Sequence, residues 1–378
     1  MPWREASVMD QRREFVVLAS TGGNIRELCR RFQVSAKTGY KWLDRFAREG
    51  PTGLRDQSRR PHHCPGQVGR MLEERVVALR RTHPSWGGRK LRRRLRELGC
   101  ADVPAASTIT AILRRRQLLG DTGRGSPHAF VRFEADAPNE LWQMDFKGHF
   151  GMGEGRCHPL TVLDDHSRFC TTLEACRDEL GDTVKARLQS TFRRYGLPRR
   201  MLMDNGPPWG SDSEHSHTPL TAWLMRLGIQ VVHPRPYHPQ TAGKDERFHR
   251  SLKAEVISRW DLESYDECQK RFDWWRGVYN FERPHDSLDL DVPAERYRPS
   301  ERSFPEVLPQ IEYGPGDLIR RVQAGGKIHF QGKTLRIAKA FRGHPVALRA
   351  TPTDGLWDVY FCHQRISQFD LRSSQEHS

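Results

Sequence analysis

Two short strand-like runs in this chain each carry an aspartate at or next to the carboxyl end, and that restricts the folds open to it. Residues 141–146 (LWQMDF) alternate as a strand does, with Gln143 and Asp145 on one face and Trp142, Met144 and Phe146 on the other. The run MLMD reads as a short buried strand that delivers Asp204 at its carboxyl end. Functional groups collect at the carboxyl ends of strands in open α/β sheets. A third acid, Glu246, falls near the start of a helix expected over 243–258, where Phe248, Leu252 and Val256 recur every four residues as a buried stripe. At about 100° per residue, Glu246 points away from that stripe and Asp245 points near it. Arg250 and Lys253 follow Glu246 at i+4 and i+7 on the same face.

Carboxylates are the oxygen ligands that Mg²⁺ and Mn²⁺ prefer. Two such ions about 3.5–4 Å apart can clamp the attacking and leaving oxygens of a phosphodiester. The rest of the chain is basic: 62 Lys and Arg against 47 Asp and Glu, a formal charge of +15 over 378 residues. That balance favours a polyanionic partner through phosphate neutralisation and counterion release. Three acids in a basic chain therefore point to cutting or joining of nucleic acid.

Other classes are disfavoured. There is no apolar run of about 18 residues, so no membrane span is expected, and MPWREASVMDQRRE has no apolar signal core. The eight cysteines are scattered without a CxxC pair, as expected of reduced thiols. His62, His63 and Cys64 are adjacent, but no second cysteine follows at zinc-finger spacing.

Four domains are expected. The first, 1–60, reads as three short helices. They are QRREFVVLAS, a helix capped by Asn24, and AKTGYKWLDRFARE capped by Ser35, with Tyr40, Leu43, Phe46 and Ala47 on its inner side. This is a helix-turn-helix pattern. It aims Lys37, Thr38 and Lys41 at the major groove, with Gly39 weakening the third helix locally. Residues 50–66 read as a linker. A second helix-turn-helix is expected within 61–128. It comprises an amphipathic helix over 68–82, one opened by Gly87–Gly88 and running to Leu98, and one capped by Ser107. The runs Arg92–Arg93–Arg94 and Arg114–Arg115–Arg116 would be phosphate contacts there. The third domain, 129–299, has the expected order β-β-β-α-β-α-β-α, with Asp164 and Asp165 as turn and strand-edge residues. The fourth, 300–378, shows short β-type runs between Gly, Pro and Asp turns, as in a small barrel of SH3-like plan.

The runs WQMDFKGHF, TVLDDHSRF, MLMDNGPPWGS, HPRPYHPQTAGKDERFHRSLKAE and VYNFERPHDSLDLDVPAERY resemble the integrase catalytic core of IS481-type insertion-sequence transposases, relations of the retroviral integrases. The resemblance covers nearly the whole chain. It implies a multidomain protein with helix-turn-helix units, an α/β RNase H-like core with a mixed sheet, and a small C-terminal β domain. It also implies a DDE triad of Asp145, Asp204 and Glu246, acting as both catalytic groups and ligands to Mg²⁺ or Mn²⁺, two ions in all. The position before the glutamate, often apolar in the wider family, holds Asp245 here.

The implied reaction is metal-dependent hydrolysis at the element ends to free 3′-OH groups, then direct transesterification into target DNA. No Ser, Tyr or Cys nucleophile is needed. Partners would be the terminal inverted repeats, target DNA and further copies of the chain, with no membrane. The setting would be the bacterial cytoplasm, on the nucleoid. His233, His238 and Gln240 would border the site. The alternatives are a DNA-binding regulator that keeps the core only as a scaffold, and an RNase H-like nuclease without strand transfer.

Overall fold

The computed structural model describes residues 7–58, 68–119, 134–210, 217–233 and 243–372. The chain divides into two compact units, 1–67 and 68–378.

The first unit holds α1 (Val8–Ser20), α2 (Ile25–Arg31) and α3 (Ala36–Glu49). Ser7, Asn24 and Ser35 cap the three helices through their side-chain oxygens. Phe15, Val16, Leu28, Cys29, Trp42 and Leu54 form the core. The inner face of α3 is the expected one in part: Leu43 and Phe46 pack against the core, but the buried residues are Gly39 and Trp42, while Tyr40 is 54% exposed and Ala47 faces solvent. Gly39 sets this phase. A Cβ there would lie 2.5 Å from Cys29 Sγ and 2.8 Å from Phe15 Cζ, so the glycine is where α3 crosses its partners. Its cost to helix propensity is offset by that close approach. The expected linker also starts later than its composition suggests, because residues Gly50–Leu54 form a 3₁₀ turn that buries Leu54.

The second unit opens with α4 (Arg70–Thr82), α5 (Gly88–Glu97) and α6 (Ala106–Arg115). Ser107 does not cap α6; Ala105 holds the cap position, without a side-chain hydrogen bond, and Ser107 lies inside the first turn. The core of these helices, with Val76, Trp86, Leu91, Leu95 and Ile112, also takes in Val278 from beyond the catalytic sheet.

That sheet has strands β1 (Leu141–Phe146), β2 (Phe150–Met152), β3 (Gly155–Asp164), β4 (Cys170–Cys176), β5 (Arg200–Leu202) and β6 (Gln230–Val232). The order is β2-β3-β1-β5-β6, with β4 also on β3. β1, β3 and β4 pair antiparallel, whereas β1–β5 and β5–β6 are parallel, so the sheet is mixed. The expected strand order holds apart from β2, a three-residue addition. Helices α7 (Gly181–Tyr195) and α8 (Pro219–Arg226) separate the later strands. Trp142, Met144, Leu188, Phe192 and Leu224 belong to the core they share. After β6 come α9 (Gly243–Leu252), a π-helical turn Lys253–Ile257, α10 (Tyr265–Phe281) and a short α11 (Pro293–Arg296). Phe248, Leu252 and Val256 are buried as the spacing predicts, against Phe272 and Trp275. The sequence pattern gave no sign of the π turn.

Asp164 closes β3 and Asp165 opens the turn after it, as expected, and both are buried acceptors. Asp164 takes the Asn139 and Ser167 amides and the Ser167 hydroxyl, and Asp165 takes the Ala135 amide, Gln143 and Lys244.

The carboxy-terminal strands are β7 (Leu318–Arg321), β8 (Lys327–Phe330), β9 (Lys333–Arg336), β10 (Pro345–Ala350), β11 (Leu356–Phe361) and β12 (Gln364–Asp370). They make a four-stranded antiparallel sheet, β12-β11-β10-β7, and a separate β8–β9 hairpin, so the described ladders do not close a barrel. Their apolar side chains, including Phe341, Leu348 and Phe361, are continuous with the catalytic core. Gln364 finishes the edge strand β6, accepting from the Val231 amide and donating to its carbonyl at 2.9 Å each. Among the described residues no helix is long and apolar enough to cross a membrane.

Candidate active site

β1 and β5 run parallel with Gln143 opposite Leu202. Continuing that register by two residues sets Asp145 level with Asp204, which follows β5. The electrostatics agree. Burial first, and then the Asp204 charge, push the Asp145 carboxyl up to about 7. Burial also raises Asp204, against the Gly206 amide, which donates to its Oδ1 at 3.1 Å. His233 Nδ1 lies 2.7 Å from the Asp204 carbonyl, so this histidine does border the acid pair. His238 and Gln240 lie outside the described residues, as do His62, His63 and Cys64.

Glu246 is not drawn into the pair. It is exposed in the first turn of α9. Among the described residues no three His, Cys, Asp or Glu side chains converge to hold an ion. Its neighbour Asp245 points inward and is 6% exposed. Burial, and next the Asp145 charge, raise the Asp245 carboxyl well above its ordinary range, and its Oδ1 has no hydrogen-bond partner. Burial of this kind disfavours the charged form that a cation ligand needs.

Three neighbours of the pair escaped the sequence reading. Thr161, on β3 opposite Asp145, donates its hydroxyl to the Asp145 carbonyl at 2.9 Å. With that proton committed, the 2.9 Å contact between Thr161 Oγ1 and His249 Nε2 requires the imidazole to donate. His249 Nδ1 then presents a lone pair 3.9 Å from Asp145 Oδ2. Burial lowers the His249 pKa to about 4, so the ring stays neutral and leaves the Asp145 charge uncompensated. The third is Glu179, between β4 and α7, whose charge raises both Asp145 and Asp204. His249 lies three residues beyond Glu246, a helical spacing that could have flagged it; Thr161 and Glu179 carry no motif of their own.

The pair fits a hard divalent cation. Its donors are carboxylate oxygens, they repel each other across adjacent strands, and no cationic side chain bridges them among the described residues.

The basic residues divide. Lys37, Lys41, Arg114, Arg250 and Lys253 are exposed and Thr38 half-exposed. The other arginines have partners within the protein. Arg92 donates to the Pro104 carbonyl. Arg93 pairs with Glu97, Glu295 and Asp291, and Arg94 with Glu282 at 2.5 Å. Arg115 and Arg116 both hold Glu73, at 2.9 and 2.8 Å. These arginines are in large part tied into ion pairs within the protein, with Arg115 and Arg116 still exposed.

Family models match most of the chain in pieces. A helix-turn-helix domain matches residues 11–62 and a homeodomain-like domain 38–113. Two integrase core domains match 135–239 and 227–293, and the C-terminal domain of the IS481 family transposase matches 317–377. An insertion element IS476 protein of Xanthomonas euvesicatoria is 25% identical over 64% of this chain and 69% of that protein. An insertion element IS407 protein of Burkholderia multivorans is 25% identical over 42% of this chain and 55% of that protein, so the chain spans little over half of the second relative. Among solved structures, the catalytic core domain of BIV integrase is similar at 22% identity, covering 42% of this chain and 92% of that one with a TM-score of 0.33. The chain thus matches the C-terminal domain of the IS481 family transposase and two integrase core domains, and it is similar to proteins of insertion elements.

Proposed function

We propose that this protein is a DNA transposase of the IS481 type that frees 3′-hydroxyl groups at the ends of its element and joins them to target DNA, with Asp145, Asp204 and Glu246 as its catalytic acids. The observation that carries the reading is the Asp145–Asp204 pair at the ends of β1 and β5, two carboxylates whose repulsion a bound cation relieves. Glu246 is the third acid because it is the exposed carboxylate of the α9 first turn, whereas Asp245 is buried, which disfavours its charged form. The three would hold Mg²⁺ or Mn²⁺, two ions in all, which when bound supply positive charge to the attacking and leaving oxygens of a phosphodiester.

The protein's own part is positional. Thr161 and His249 fix Asp145 from behind, and His233 braces the backbone at Asp204. Arg250 and Lys253 hold phosphates beside the reacting one, while Lys37, Thr38, Lys41 and Arg114 engage the element end. Arg92, Arg93 and Arg115 act at one remove, by fixing the second helical unit to its surroundings.

In the first step water attacks phosphorus, and the bond to the 3′ oxygen breaks to leave a 3′-OH and a 5′-phosphate. In the second that hydroxyl attacks a target phosphodiester, its proton is lost and a 3′ oxygen departs. The number of phosphodiesters is conserved in the second step, so no external energy source is required. Several copies of the chain acting together on DNA, in the bacterial cytoplasm, complete the reading. We take residues 1–60, 61–128, 129–299 and 300–378 as its functional domains, the last an SH3-like barrel built from the two sheets that share one core.

The experiment is cleavage of a labelled element-end duplex with Mg²⁺, with Mn²⁺ and in EDTA, alongside thermal melting with each ion. Cleavage that survives chelation would sink the metal-dependent mechanism.

A further inference from the structure

A cavity of about 640 Å³ lies between the second helical unit and α9. Its walls carry five cationic side chains, Arg89, Lys90, Arg247, Arg250 and Arg283, and one carboxylate, Asp286. Asp286 cannot balance them. It is already shared by Arg89 at 3.4 Å and Lys90 at 3.7 Å. Arg247 and Arg250 pair with no acid among the described residues. Arg283 is 7% exposed and fixed by Glu255 at 3.0 Å and Ser251 at 3.1 Å, and its Nε is left without a hydrogen-bond partner.

The backbone adds to this charge. α5 and α6, ten residues each, open onto the cavity at Gly87–Gly88 and at Ala106–Ser107. Neither helix has a side-chain cap, so first-turn amides lack side-chain partners. The two N-termini can lie together only because residue 88 is glycine: a Cβ would stand 2.4 Å from the Ala106 carbonyl oxygen and 2.5 Å from Thr110 Oγ1. Two helix N-termini beside five cations form an anion site. Burial and the nearby Arg283 lower Lys90 to about 8, as expected of a cation in a cluster that lacks its counter-charge.

Arg247 and Arg250 follow Glu246 directly along α9. Four residues of helix rise about 6 Å, and phosphates on one DNA strand advance about 3.4 Å each along the axis. We propose that this cavity is a phosphate-binding site that seats a backbone phosphodiester of bound DNA about two nucleotides from the phosphate being cut. It would join the second helical unit and the catalytic helix through one ligand. The inference rests on the transposase reading above.

The test uses the full-length protein and a short fluorescent DNA duplex of arbitrary sequence. Lys90→Gln with Arg247→Gln is expected to weaken binding roughly tenfold near physiological salt and to lower the slope of log affinity against log salt by about two. Wild-type affinity and slope in the double variant overturn the site. Lys90 acetylation in the wild type, read by mass spectrometry, serves if the variant does not fold. The duplex is expected to protect Lys90 where the same phosphate concentration as inorganic phosphate does not. Equal labelling with and without duplex, or equal protection by free phosphate, overturns the proposal. A wild type that binds no duplex at low salt removes the DNA reading itself; one that binds without involving Lys90 or Arg247 removes only this site.

Discussion

The neutral imidazole of His249 stands 3.9 Å from the Asp145 carboxylate and is held there by its hydrogen bond to Thr161. The same Thr161 hydroxyl bonds the Asp145 carbonyl, so one side chain fixes the acid and its neighbour together.

His249→Ala therefore removes an orienting group and leaves the acids in place. Single-turnover cleavage is expected to slow by about 10–100-fold, as when groups that orient metal ligands are lost, with DNA affinity nearly unchanged. His249→Gln, which keeps a donor toward Thr161, should recover part of the rate. Equal loss of binding and rate, with no rescue by Gln, would assign His249 a merely structural role.

Asp145→Asn and Asp204→Asn are each expected to abolish nicking while sparing duplex binding, and to abolish the rise in melting temperature with Mg²⁺. Asp145→Asn should also change the pH dependence of stability without metal. The Asp145 carboxyl sits near 7 in the fold against an ordinary 3.8. The folded state thus holds the proton more tightly, so this group lowers stability as pH rises from about 4 to 7. The variant should flatten that fall. Parallel melting curves across pH 4.5–8 for both proteins would contradict the assignment.

On α9 the two adjacent acids should separate cleanly. Glu246→Gln is expected to eliminate both 3′-end cleavage and joining. Asp245→Asn removes only a charge that burial already disfavours, so most activity should persist. A dead Asp245→Asn beside an active Glu246→Gln would move the third ligand by one residue.

Gly39→Ala tests the crossing of α3 over α1 and α2. The new methyl meets Cys29 and Phe15 inside 3 Å. Overpacking of this kind costs typically 1–3 kcal/mol, despite the better helix propensity of alanine. Chemical denaturation of the full chain should show an earlier transition for the first unit, and a variant as stable as wild type would mean that the helices shift apart without cost.

Much of the candidate site was legible because its signals are local. Alternation placed Asp145 on a strand, the MLMD run placed Asp204 at a strand end, and four-residue spacing put Asp245 inward and Glu246 outward. Caps at Asn24 and Ser35 were legible for the same reason, since a cap concerns a side chain and amides two or three residues away. The inner face of α3 was legible at Leu43 and Phe46 but not at Gly39, because the role of a glycine depends on partners brought in from α1 and α2.

The sequence by itself determined the element order of the catalytic sheet, the two acids at strand ends and the basic character that calls for DNA, because these follow from period, composition and motif. Only the tertiary structure decided where the charges go. It paired Arg93 and Arg94 with Glu295 and Glu282 from about 190–200 residues away and, among the described residues, gave Arg247 and Arg250 no acid. It also set Thr161 and His249 behind Asp145. The reason is physical: an ion pair or a buried carboxyl is fixed by its distance to groups remote in the chain, and the fold alone sets that distance.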